Sequence, residues 1–215
     1  LATGRPCHLH YNYEQQQQYT GKRSPFFTTV RYAADKATGK IKAMEADWIV
    51  DHGPYSEFGD LLTLRGAQYI GAGYGIENIR GIGRTVCTNH AWGAAFRGYG
   101  APESEFPSEV LMDELAEKLG MDPLELRAIN CYRPGDTNPS GQTPEVFSLP
   151  EMIDILRPKY QAAKEKAAAH STDAVKRGVG LSIGIYGCGL DGPDSAESWA
   201  QYNEDGTVTI GVCWG

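Results

Sequence analysis

Long apolar runs are missing from this sequence. Nowhere in its 215 residues is there an uninterrupted hydrophobic stretch of the length, about 18–20 residues, that a membrane-spanning helix requires. No charged leader followed by an apolar segment stands at the start. Positive charge is scarce as well: 20 Lys and Arg face 27 Asp and Glu, a net charge of −7. The basic face that nucleic acid demands is therefore not visible. The adjacent pair Lys22-Arg23 reads as a solvated turn.

Cysteine is sparse and irregular, at 7, 87, 131, 188 and 213, with no Cys-x-x-Cys. That spacing argues against a disulfide framework, a zinc site or an iron–sulfur cluster. It predicts reduced, mostly buried thiols in a cytoplasmic or similarly reducing compartment, with the periplasm left open. The five histidines, at 8, 10, 52, 90 and 170, share no motif with a nucleophile or acid, so His52 and His90 read as structural. There is no internal repeat, and the glutamines at 15–18 are too few for low complexity.

Alternation predicts strands over 5–13 and 26–34 with a polar turn at 14–22 between them. A hairpin turn follows at Asp35-Lys36-Ala37-Thr38-Gly39-Lys40, then a strand over 41–50. A helix over 60–70 is ended by Gly71-Ala72-Gly73-Tyr74-Gly75, a cluster that follows a helix and lacks the acidic partner of a dinucleotide fingerprint. Another strand spans 79–88.

Three helices come next. The first carries an apolar face of Phe106, Val110, Leu111, Leu115 and Leu119, with Pro107 starting or kinking it. The second opens with Asp122 as cap, Pro123 at the first position and Glu125 completing a capping box. The third is marked by Ser148 and Glu151, with Leu149, Met152, Ile153, Leu156 and Tyr160 inward and a kink at Pro158. A strand over 179–185 and a hairpin around Glu204-Asp205-Gly206 begin a second β-rich unit. The class is α+β, with antiparallel-rich sheets and packed helices. The boundary is expected near 172–176, giving domains 1–173 and 174–215. The opening at Leu1 without Met and the stop after a strand-like run point to a piece of something larger.

The most informative stretch is Gly93-Ala94-Ala95-Phe96-Arg97-Gly98-Tyr99-Gly100-Ala101-Pro102. It combines three glycines, two aromatic rings and one permanent cation between a strand and a helix. Glycines allow backbone N–H groups to approach a ligand closely. Arginine and a helix N-terminus add attraction for an anion. A plain strand-to-helix turn with a structural arginine has the same ingredients.

The segment Phe96 to Pro102 resembles the molybdopterin-contacting loop of the xanthine oxidase family of molybdenum hydroxylases, most narrowly the bacterial aldehyde oxidoreductases. The similarity extends to Asp51-His52-Gly53-Pro54-Tyr55-Ser56-Glu57-Phe58-Gly59-Asp60-Leu61-Leu62, to Arg84-Thr85-Val86-Cys87-Thr88-Asn89, and to residues 181–193. The resemblance implies a fragment, inactive alone, of the molybdenum-cofactor-binding part of an enzyme that oxidises small aldehydes to carboxylic acids with water as oxygen source.

The implied cofactor is molybdopterin with molybdenum, in the cytosine dinucleotide form of the bacterial members. Ala95, Phe96, Arg97, Gly98 and Tyr99 match cofactor-binding positions, and Phe58, Leu61, Tyr99 and Leu190 match the substrate channel. No protein metal ligand is expected. The catalytic glutamate base falls beyond Gly215, and the two-iron two-sulfur clusters lie in other domains of a homo-oligomeric parent. A channel without charged residues suits an aldehyde better than a polar heterocycle. A sibling hydroxylase acting on a heterocycle, or a non-catalytic interaction module on the same fold, is the alternative. Two departures stand out: Glu103 where the family has glutamine, and Pro107 in place of a more helix-compatible residue. A carboxylate at 103 is expected to weaken pterin contacts unless it is protonated or turned away.

Overall fold

Regular alternation over Phe26–Ala34 makes β1, whose even-numbered residues turn inward while Phe27, Thr29, Arg31 and Ala33 face out. The computed structural model describes residues 3–55, 58–187 and 197–212. The turn at 35–40 returns the chain antiparallel into β2, Ile41–Asp51. There Asp35 Oδ1 accepts the N–H groups of Ala37 and Thr38, as the turn chemistry predicted. After the helix α2, Gly59–Tyr69, the strand β3, Asn78–Val86, pairs parallel to β2. A helix between two strands forces this crossover, so one pairing of the three-stranded sheet departs from the antiparallel rule.

Trp48, on β2 and 3% exposed, sets the sheet's packing. A Cβ at Gly83 would stand 2.4 Å from its ring, and one at Gly66 of α2 only 3.1 Å from its Nε1. Those glycines let helix and sheet close over the indole. The outer face carries Arg31, Arg80 and Arg84 against Glu45 and Asp47, exposed pairs that contribute little.

The helix α3, Ala101–Leu119, differs from expectation. It starts earlier and runs through Pro107. Its buried face is Ala101, Ser104, Ser108, Glu109, Met112 and Ala116, while Phe106 and Val110 point outward. Leu115 and Leu119 do pack on the core. Small side chains win the inner face because α3 lies close to α2, where Ser108 donates to the Ile70 carbonyl. Glu109 is drawn inside by the fully buried Arg127 of α4, Pro123–Asn130, at 2.8 Å. Asp113 holds a second arm of the same guanidinium, and Tyr74 donates to Glu109.

Asp122 caps α4 as expected, accepting from Leu124 and Glu125 N–H. The Glu125 side chain pairs instead with Arg157 of α5, Leu149–Ala169. On α5 Ile153 and Tyr160 are buried, but Met152 and Leu156 are exposed, and the Ser148 side chain makes no cap bond.

At the N-terminal end the strand over 5–13 does not form. Asn12 and Gln15 build a reciprocal capping box that starts α1, Tyr13–Tyr19, where a turn was expected. Residues 179–185 do not form the expected strand. Their N–H groups at Ile183 and Ile185 donate, at 3.0 Å each, to the carboxylates of Glu109 and Glu105. Two residues of extended chain span roughly 6.6 Å, close to the separation of side chains one helical turn apart. Two glutamates thus stand in for a neighbouring strand. A cavity of about 310 Å³ lies between α5 and this segment, lined by Leu124, Ile153, Leu156, Leu181 and Ile183 among others.

The chain forms two compact units, Leu1–Ile185 and Tyr186–Gly215. In the second, β4, Ser198–Tyr202, pairs antiparallel with β5, Val208–Val212, around a turn where Asp205 accepts from Thr207 and Gly206 takes a positive φ. Of the described cysteines, Cys131 is buried but Cys7 and Cys87 are exposed, contrary to the expectation of mostly buried thiols. Both sit in irregular segments outside the core. Among the described residues no helix is long and apolar enough to cross a membrane.

Candidate functional site

Residues 93–102 join β3 to α3, and both ends of this loop are fastened. At its start Gly93 N–H donates to the His52 carbonyl at 3.1 Å, and Ala94 N–H to the Lys22 carbonyl at 2.9 Å. A Cβ on Gly93 would stand 2.3 Å from Ser24 Oγ and 2.8 Å from His52 Nδ1, so only glycine fits. His52 is fully buried and bonded to Ser24 at 2.8 Å, a satisfied structural histidine. The largely exposed His90 approaches Asp51 at 3.5 Å. The Thr88 hydroxyl bonded to Asp51 holds that carboxyl below its usual range, with help from Gly53 N–H and the two histidines.

At its end the loop winds into α3 through two turns, Tyr99 N–H to Phe96 O at 2.8 Å and Ala101 N–H to Gly98 O at 3.0 Å. Gly98, Tyr99 and Gly100 all take positive φ, at 95°, 41° and 93°. A side chain at Gly100 would press on the Leu62 carbonyl, 3.0 Å away. Tyr99 tolerates the left-handed region because its hydroxyl donates to the Phe58 carbonyl at 2.9 Å. Partial burial and the Asp60 carboxylate raise the Tyr99 pKa, which keeps the donor proton in place.

Between these anchors the N–H groups of Ala95, Phe96, Arg97 and Gly98 meet no acceptor among the described residues. The side chains of Ala95, Phe96 and Arg97 are exposed, and the Arg97 guanidinium forms no ion pair among the described residues. Four free amides beside a free cation, on a loop fixed at both ends, make a cradle for a ligand rich in negative charge and hydrogen-bond acceptors.

The expected channel residues are partly assembled. Phe58 caps α2 in the left-handed region and is 57% exposed, and its carbonyl carries the bond from Tyr99. Leu61 lies in the first turn of α2 and is also exposed. Leu190 falls outside the described residues, as do Cys188 and Gly189.

Arg23 was missed. Far from being solvated, it reaches Glu103 Oε1 at 2.5 Å, donates to the Arg97 carbonyl at 2.6 Å and lies 4.6 Å above the Phe96 ring. Its neighbour Lys22 is also engaged, donating to the carbonyls of Gln16 and Thr20. The dibasic pair was a signal only in hindsight, since nothing in the sequence links residue 23 to residue 103. The Glu103 charge is thereby compensated, while its second oxygen is buried without a partner. Among the described residues no group of three or more His, Cys, Asp or Glu is placed to hold a metal ion.

Comparison with known proteins fits this geometry. The family described as molybdopterin cofactor-binding domain matches residues 1–131. An aldehyde oxidoreductase of Megalodesulfovibrio gigas is 72% identical over 214 residues, covering 100% of this chain and 24% of that protein. The mouse xanthine dehydrogenase/oxidase is 32% identical over 183 residues, 84% of this chain and 14% of the relative. The crystal structure of the aldehyde oxidoreductase from Desulfovibrio desulfuricans superposes with a TM-score of 0.89 at 76% identity, over 98% of this chain and 23% of that one. Quinoline 2-oxidoreductase from Pseudomonas putida follows at 0.62 and 25% identity, over 72% and 21%. The chain spans about a quarter or less of the length of these relatives. With its family match over residues 1–131, this chain belongs to the molybdopterin cofactor-binding domain family.

Proposed function

We propose that this chain is the central part of a molybdenum-dependent aldehyde oxidoreductase, which converts small aldehydes to carboxylic acids with water as oxygen source. The observation that carries the reading is the run of unpaired N–H groups at Ala95, Phe96, Arg97 and Gly98 beside the unpaired Arg97 guanidinium. The residues fit a pterin-dithiolene cofactor: its phosphate and carbonyl oxygens need donors, and the loop offers donors without intramolecular acceptors. When bound, that group supplies the redox chemistry of the oxidation.

The protein's part is to hold and orient. Arg97 gives a fixed charge, and Tyr99 locks the turn, with its N–H on the Phe96 carbonyl and its phenol on the Phe58 carbonyl, while Gly98 and Gly100 supply the positive φ the turn needs. Phe58, bonded to Tyr99, and Leu61 offer exposed hydrocarbon for a funnel that would exclude water and select an apolar aldehyde over a polar heterocycle; Leu190 is assigned to that funnel by the resemblance alone. The cytosine dinucleotide form, the iron–sulfur domains, a homo-oligomeric parent, a glutamate base outside residues 1–215 and a cytoplasmic setting belong to the same proposal. So does a division into domains 1–173 and 174–215, for which the end of α5 at Ala169 speaks, whereas the compact units divide later, after Ile185.

The test is the natural full-length chain, purified and assayed with benzaldehyde and with hypoxanthine. The aldehyde reading expects at least tenfold higher kcat/KM for benzaldehyde, roughly the discrimination of one misplaced polar group. A preference for hypoxanthine would favour the sibling hydroxylase.

A further inference from the structure

We propose that Arg23 is a positioning residue for the cofactor loop, and that with Glu103 it forms a charge-matched clamp setting the direction of the loop's donors. The inference rests on reading residues 95–99 as the cofactor cradle. One guanidinium touches the loop at two points, the Arg97 carbonyl and the Phe96 ring face, and the helix that follows it at a third, the Glu103 carboxylate in the first turn of α3. Arg23 is itself immobilised, because its neighbours Lys22 and Ser24 are tied to Trp92, Ala94 and His52.

The consequence follows from peptide geometry. In a trans peptide the carbonyl and the next N–H point in opposite directions. By holding the Arg97 oxygen, Arg23 turns the Gly98 N–H to the other side. The Tyr99 N–H does the same for the preceding unit, since it holds the Phe96 oxygen and so turns the Arg97 N–H away. Two of the four unpaired donors are thus oriented by contacts behind the loop. The pairing also explains how a carboxylate is tolerated at 103. Its side chain is only 10% exposed, and the Arg23 charge removes the repulsion it would exert on an anionic ligand. Lysine carries the same charge but lacks the planar fork that reaches two acceptors and stacks on a ring.

The experiment uses the natural full-length chain from molybdate-replete cells, with molybdenum per chain and thermal melting as readouts for Arg23→Met, Arg23→Lys and Arg23→Met/Glu103→Gln. Arg23→Met leaves a buried carboxylate unpaired and is expected to lower both melting temperature and molybdenum. The double variant removes that charge and should regain the melting temperature while molybdenum stays about tenfold low, the scale of one lost charge-assisted hydrogen bond. Arg23→Lys should melt like wild type with molybdenum also clearly reduced. Wild-type molybdenum in the double variant or in Arg23→Lys would overturn the positioning role, leaving Arg23 a counter-charge only. A wild-type chain without molybdenum would overturn the cofactor reading, and the clamp with it.

Discussion

The Tyr99 hydroxyl donates to the Phe58 carbonyl at 2.9 Å, and both residues stand in the left-handed backbone region, at φ 41° and 57°. Each such residue costs about 1–3 kcal/mol in backbone strain. The bond ties the strained start of α2 to the strained loop that precedes α3. Tyr99→Phe is expected to destabilise the full-length chain by about 1 kcal/mol, the net value of one hydrogen bond. Phe58→Gly relieves strain at a residue whose ring is mostly exposed, and should stabilise by about 1 kcal/mol. Chemical denaturation checks both, and a Phe58→Gly variant less stable than wild type would show that the ring is buried by something beyond these residues.

Glycine substitutions separate close approach from backbone strain. Gly93→Ala drives a methyl into Ser24 and His52 and is expected to abolish soluble expression or molybdenum incorporation. Gly120 ends α3 at φ 65° with open space around it, so Gly120→Ala should cost only about 1–2 kcal/mol. Expression yield and denaturation midpoints of the two variants check the contrast.

Arg127 is fully buried between Glu109 and Asp113. Arg127→Met leaves Glu109 charged and unpaired, an expected loss of about 3–5 kcal/mol. Adding Glu109→Leu removes the stranded charge and should recover part of it, though the Tyr74 hydroxyl and the Ile183 N–H then lose their acceptor. Denaturation of the two single variants and the double variant measures the coupling.

Glu105 supplies a pH signature. Burial, with Glu109 nearby, pushes its carboxyl from 4.5 up to about 7, against the opposing bond from Ile185 N–H. The folded state therefore holds a proton that the unfolded chain has released, so stability falls as pH rises from about 4.5 to about 7. Glu105→Gln removes the titration and should flatten that part of the curve. Denaturation at pH 5 and pH 7.5 checks it; an equal slope in the variant would mean another group is responsible.

Much of this was legible in the sequence. Alternation marks β1, the turn at 35–40 announces β2, Asp122-Pro123 marks α4, and the hairpin around Glu204-Asp205-Gly206 follows from Asp and Gly chemistry. Phe58, Leu61 and the 95–99 loop were reached through resemblance, and the geometry brings Phe58 and Tyr99 together. What stayed hidden depends on partners distant in the chain. The buried face of α3 is chosen by how closely α2 approaches, not by apolar periodicity, so Ser104 and Ser108 displace Phe106. Residues 179–185 have strand-like alternation, yet their hydrogen bonds go to two glutamates on α3. Arg23 joins residues 97 and 103 only in three dimensions.

The proposed cradle at residues 95–99 holds a molybdopterin through the free N–H groups of Ala95, Phe96, Arg97 and Gly98 and through the Arg97 charge. Its most direct test is molybdenum per chain in the purified natural full-length protein, wild type against Arg97→Met, both from molybdate-replete cells. The expected result is near one molybdenum per wild-type chain and at least a tenfold loss in the variant, with melting before cofactor loading unchanged because Arg97 has no ion pair among the described residues to lose. Wild-type molybdenum content in Arg97→Met would contradict it.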